Sequence, residues 1–106
     1  MSFFVVRFEH PNAEGWQAQL GAHIAWLRER VADGSVRASG PLVGAADRAA
    51  LLIVEAPHRE ALDGLIATDP FAIHGLIEKM TVAEWDPIFG TFGAQSTMPG
   101  LGGPAG

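Results

Sequence analysis

The stretch Ala49-Ala50-Leu51-Leu52-Ile53-Val54-Glu55-Ala56 decides the fold. Leu51 to Val54 are apolar on consecutive positions, so the strand they predict must be covered on both faces. A short loop over residues 44–48 precedes it, and Pro57 follows where a helix starts. Upstream, Ser2 to Phe8 reads as a second strand of the same kind. Phe4, Val6 and Phe8 share one face by the two-residue period, and Phe3, Val5 and Arg7 share the other.

Between these strands the period changes. His10-Pro11-Asn12 breaks the first strand, and Asn12 is placed to cap a helix with Glu14 in its first turn. From Ala13 to Ala32, Trp16, Leu20, Ile24, Leu27 and Val31 recur at spacings of three and four, a stripe roughly 80–100° wide. Gly15 and Gly21 each weaken this helix by about 1 kcal/mol relative to alanine, so packing must hold it. Asp33-Gly34 ends it, with Gly34 suited to a left-handed position. A weaker strand is expected over residues 36–43. Pro41 cannot donate a ladder hydrogen bond, which puts that strand at an edge, at a bulge or at its end.

After the central strand, residues 59–67 predict a short helix burying Leu62, Leu65 and Ile66. Asp69-Pro70 opens a further turn through His74, and residues 77–85 return to strand. Asp86-Pro87 ends it, and Ile88-Phe89 is expected to tuck back onto the body. The order is β-α-β-β-α-β, an α+β, ferredoxin-like arrangement with a four-stranded antiparallel sheet. The folded domain is expected over residues 1–92, followed by a disordered Gly/Pro-rich tail over residues 93–106.

Two helices cover one face of such a sheet, whereas strands one and three are apolar on both. A second copy of the same sheet would cover the other face, so a homodimer is expected, with an interface at or above the standard ~1,600 Å².

The chain has 106 residues, a formal net charge of -5 and no cysteine. Without a basic stripe there is no footprint for nucleic acid. Without cysteine there is no disulfide framework, thiolate nucleophile or zinc–thiolate site. No basic leader precedes Phe3-Phe4-Val5-Val6, and no apolar run approaches the ~20 residues of a membrane span. These features predict a soluble cytoplasmic protein that binds neither nucleic acid nor membrane.

The chemistry-bearing residues are few. His23 lies about 20° outside the helix stripe, at the boundary of buried and exposed surface, where an imidazole can act as acid or base. Spacing alone favours a boundary histidine satisfied by a backbone carbonyl or water. Ser39-Gly40-Pro41 ends a strand, and Gly40 would let a ligand approach while Pro41 stiffens a wall. No Gly-x-Ser-x-Gly elbow surrounds Ser39, which argues against a serine nucleophile. Asp69 is explained by a helix N-cap, although its carboxylate has acceptor sites enough to orient an imidazole as well. His74 would line the same pocket or cap its helical turn. His10 and His58 flank prolines and are expected to be exposed. No histidine–carboxylate spacing predicts a metal site. Trp16, Trp26 and Trp85 read as core and interface anchors.

The aromatic first strand, His23 and Leu27 in the helix, Gly34, Ser39-Gly40-Pro41-Leu42, and Asp69-Pro70-Phe71 with Gly75 together resemble the YciI-like family, from about Phe3 to Phe89. The resemblance implies the dimeric α/β barrel fold. It also implies that His23 and Asp69 form an active-site pair, with Ser39, Gly40, Pro41 and Phe71 lining the cleft. Some relatives resemble muconolactone isomerase or act as dehydrochlorinases on hydroxylated rings, without metal or organic cofactor. The expected function is therefore a cofactor-independent lyase or isomerase acting on a small cyclic or aromatic ligand. The alternative is a non-catalytic homodimer that binds a metabolite.

Overall fold

Strand β1 (Ser2–Glu9) occupies the middle of the sheet because both of its edges find partners. It pairs antiparallel with β3 (Ala49–Ala56) on one side and β4 (Lys79–Trp85) on the other, and β2 (Val36–Pro41) pairs with β3 at the edge. The computed structural model describes residues 1–98. Helices α1 (Ala13–Ala32), α2 (Arg59–Ile66) and the one-turn α3 (Pro70–Ile73) complete the chain, with a 3-10 turn at Gly93–Gln95. The strand order β2-β3-β1-β4 is that of a ferredoxin-like α+β sheet, as the sequence predicts. Among the described residues no helix is long and apolar enough to cross a membrane.

Register fixes what each face carries. Phe4 stands opposite Val54 and Val6 opposite Leu52, and these four side chains are buried under the helices with Phe8, Leu62, Ile66 and Phe71. Each such side chain contributes about 1.5–3 kcal/mol when fully buried, and this packing holds α1 despite its glycines. Asn12 caps α1 through its side-chain oxygen, which accepts from the Gly15 N–H at 3.0 Å. At the other end Gly34 takes φ +86, the left-handed position expected of it.

Element ends differ from expectation at two strands. β2 stops at Pro41 rather than residue 43, at the sheet edge where its missing N–H faces no neighbour. β4 starts at Lys79 rather than residue 77, because Leu76 and Ile77 pack against the core first. β2 also carries a bulge: Val36 opposes Val54 but Ala38 opposes Ile53. The extra residue reverses the alternation, so Ser39 and Pro41, opposite Leu52 and Ala50, join Val36 on the helix side.

The other face is partly covered by the chain's own end. Phe92 folds back edge-on to Phe3, with ring centroids 5.4 Å apart, while Ile88 is half-buried and Phe89 stays exposed. Asp86 holds this return by accepting from the Ser96 hydroxyl at 2.6 Å and from the Thr97 hydroxyl and N–H. The segment expected to start a disordered tail therefore begins with the 3-10 turn and a buried Gly93. The rest of that tail, residues 99–106, lies outside the described residues. Val5, Leu51 and Ile53 at the centre of this face remain only half-buried.

Candidate active site

α1 does not present its apolar stripe squarely to the sheet. Its two buried residues are His23 and Trp26, while Ile24 and Val31 of the stripe are exposed. The helix is rolled towards the segment before α3: the Trp26 indole N–H donates to Thr68 Oγ1 at 2.8 Å, and His23 meets Asp69. The unused part of the stripe, with Leu20, Ile24, Leu27 and Val31, instead walls an open cavity of about 710 Å³ between α1 and the β2–β3 edge. A volume of this size suits a small organic ligand.

His23 Nδ1–H donates to Asp69 Oδ1 across 2.8 Å, and neither residue is appreciably exposed. Asp69 precedes Pro70 because it caps α3. The same Oδ1 accepts from the Phe71 N–H at 3.0 Å, so cap and imidazole share one oxygen. The Phe71 ring lies flat on the imidazole, centroids 3.8 Å apart and planes 8° from parallel, and Trp26 lies nearly parallel to it at 6.3 Å. These contacts fix the plane of the ring. With Nδ1 committed to the carboxylate, Nε2 is the nitrogen left to serve the cavity that His23 lines. Such an imidazole can accept a proton there, and Asp69 stabilises the cation that results.

Ser39, Gly40, Pro41 and Phe71 also line the cavity. The bulge in β2 brings Ser39 and Pro41 round to it, and a Cβ at Gly40 would meet nothing within 4 Å. His74 is a correction: it is exposed, closes α3 as its C-cap and is not part of the cavity wall. α3 has a single turn, and Gly75 at φ +66 then turns the chain so that Leu76, not His74, faces inward. His58 is exposed as expected, and its Nδ1 accepts from the Ala61 N–H to cap α2.

His10 is the second correction. Expected to be exposed beside Pro11, it is buried and lines the cavity, its ring 5.0 Å from that of Phe71. The signal was present: Phe4, Val6, Phe8 and His10 share one parity, and the inward face of β1 continues one step beyond the strand. Its N–H donates to the Arg48 carbonyl at 2.9 Å, which holds the position. Burial pushes the His10 imidazole below its usual pKa, with the Arg48 charge and His23 acting in the same direction. Arg48 and Arg28 also line the cavity. Among the described residues no group of three or more histidine or carboxylate side chains could hold a metal ion.

The fold and the cleft together define a ferredoxin-like α+β domain whose cavity is lined by a histidine hydrogen-bonded to a buried carboxylate. The chain belongs to the YCII-related domain family, whose model matches residues 1–86. No curated protein matches it. Among solved structures it is similar to the 5-chloro-2-hydroxyhydroquinone dehydrochlorinase of Burkholderia phenoliruptrix AC1100 in complex with 2,5-dihydroxybenzoquinone. That likeness has a TM-score of 0.68 and 26% identity, and covers 85% of this chain and 96% of the other. A muconolactone isomerase shares the fold at TM-score 0.62 and 12% identity, with 79% of this chain and 88% of the other covered. An antibiotic biosynthesis monooxygenase shares it at TM-score 0.52 and 22% identity, with 79% and 96% covered.

Proposed function

We propose that this chain is a small-molecule enzyme of the lyase or isomerase kind, with His23 as its acid–base and Asp69 as the group that orients it. The observation that carries this reading is the 2.8 Å bond from His23 Nδ1 to a buried carboxylate at the wall of an apolar cavity. His23 Nε2 takes a proton from a carbon or hydroxyl of a small cyclic or aromatic ligand. In an isomerisation the proton returns at another atom of the ligand. In an elimination it stays on the imidazole while the leaving group departs with its bonding pair. Ser39, Gly40, Pro41 and Phe71 form walls that hold the ring. Proton transfer of this kind needs no metal or organic cofactor, since base and charge stabiliser are both side chains. The dehydrochlorinase likeness supports the reaction class and a ring-shaped ligand. The working form is a homodimer through the outer sheet face, whose apolar centre at Val5, Leu51 and Ile53 supports such a contact.

The test screens the full chain against phenolic and lactone metabolites by thermal shift, then follows product formation. His23→Ala should lower turnover by about 10²-fold or more with the melting transition retained. Asp69→Asn keeps an oxygen for the α3 cap but not the negative charge, so its rate should fall while its stability changes little. Full rate in His23→Ala would remove the histidine from the mechanism. Binding without product in every case would favour a metabolite-binding protein.

A further inference from the structure

The arginines of this chain divide into two groups. Arg7, Arg30, Arg37 and Arg59 each pair with a carboxylate within 4.0 Å. Arg28 and Arg48 have no such partner among the described residues, and both line the cavity. The wall contains no aspartate or glutamate, although the chain as a whole carries a formal charge of -5. Among the described residues, the two arginines without a carboxylate partner are the two at the cavity.

Arg48 is also preoriented. Its guanidinium lies over the Trp16 ring, 4.3 Å from the centroid, which engages the flat face of the group and leaves its N–H edge available. The carbonyl of Arg48 is tied to the His10 N–H, so its backbone is anchored at the start of β3. Arg28, exposed on α1, stands at the mouth.

We propose that the cavity selects a small planar ligand bearing an anionic oxygen, such as a carboxylate or an enolate, which Arg48 receives through its N–H edge with Arg28 supporting at the mouth. This rests on the reading of the cavity as the active site and narrows its substrate class. Bound there, the anion neutralises the guanidinium, the apolar α1 wall covers the ring, and His23 Nε2 is left to exchange a proton. His10, kept neutral by its surroundings, adds a hydrogen-bonding ring beside the anion without adding charge.

Benzoate and its neutral isostere benzamide are the probes, titrated into the full chain while the Trp16 indole N–H and the Ser39 and Gly40 amides are followed by NMR. Benzoate should bind about tenfold or more tightly than benzamide, as charge-assisted hydrogen bonding in a partly desolvated site provides. The preference should shrink in Arg48→Met, shrink further with Arg28→Met added, largely survive Arg48→Lys, and persist in Arg59→Met, which removes a paired arginine on α2. Rising salt should weaken benzoate and leave benzamide unchanged. Equal binding of the two probes at the cavity would overturn the anion proposal and leave the acid–base reading standing. A preference that survives the double variant would overturn the roles of both arginines. If neither probe moves the cavity signals at about 10 mM, the anion proposal falls, and the acid–base reading is decided by the turnover of His23→Ala.

Discussion

His10 and Asp69 show how one side chain can be committed by its neighbours. The His10 imidazole is packed between the rings of Phe8 and Phe71, with the Arg48 guanidinium nearby. Burial first, then Arg48, depress its pKa from the usual 6.5. The unfolded chain therefore takes up this proton more readily than the folded one. The resulting stability is fully present above the ordinary value and is lost as pH falls from about 6.5 towards the depressed folded value. Denaturant titrations at pH 7.5 and 5.5 should show the wild type losing more stability on acidification than His10→Phe. Parallel losses would mean that His10 contributes nothing to the pH dependence. At Asp69, the proline that follows and the cap on Phe71 give the residue a structural reason to exist. The sequence shows that reason plainly, whereas the bond to His23, 46 positions away, is a fact of packing.

At the scale of elements, two local devices set the cavity. α3 ends with the Leu76 N–H donating to the Phe71 carbonyl and the Gly75 N–H to the Ala72 carbonyl, a Schellman closure that needs the left-handed Gly75. Leu76 then packs against the start of α1, so closely that a Cβ at Gly15 would overlap its Cδ2. This contact keeps α1 rolled towards Asp69. Gly75→Ala should destabilise by about 1–2 kcal/mol through backbone strain. Gly21→Ala, in an exposed helical position with open space around it, should stabilise by about 0.5–1 kcal/mol. Thermal melts of the two variants read both, and shifts of the same sign would contradict this account of α1 and α3. The bulge in β2 is the second device. Alternation from Val36 would bring Ala38 and Gly40 to the helix side, and the inserted residue brings Ser39 and Pro41 instead.

The whole molecule is a sheet with its two faces unequally finished. Helices and cavity occupy one, and among the described residues Phe92 covers one end of the other. Ile53, opposite Val5 at the middle of that second face, is the residue on which a homodimer should depend. Ile53→Glu should sediment as a folded monomer at micromolar concentration where the wild type sediments as a dimer, and a monomeric wild type would end the proposal. Hydrophobic period, proline position and turn residues are local properties, and they determined the element order, the ferredoxin-like class and the N-caps at Asn12 and Asp69, and narrowed Pro41 to an edge, a bulge or a strand end. The motif order also indicated the family. Tertiary structure decided the rest. The roll of α1 chose which apolar residues face a cavity rather than the core. The continuation of the β1 face buried His10, and the left-handed Gly75 sent His74 to solvent. The pairing of arginines with carboxylates left Arg28 and Arg48 unmatched at the site. Each of these depends on where two distant segments touch, and a periodicity read along one segment carries no information about its partner.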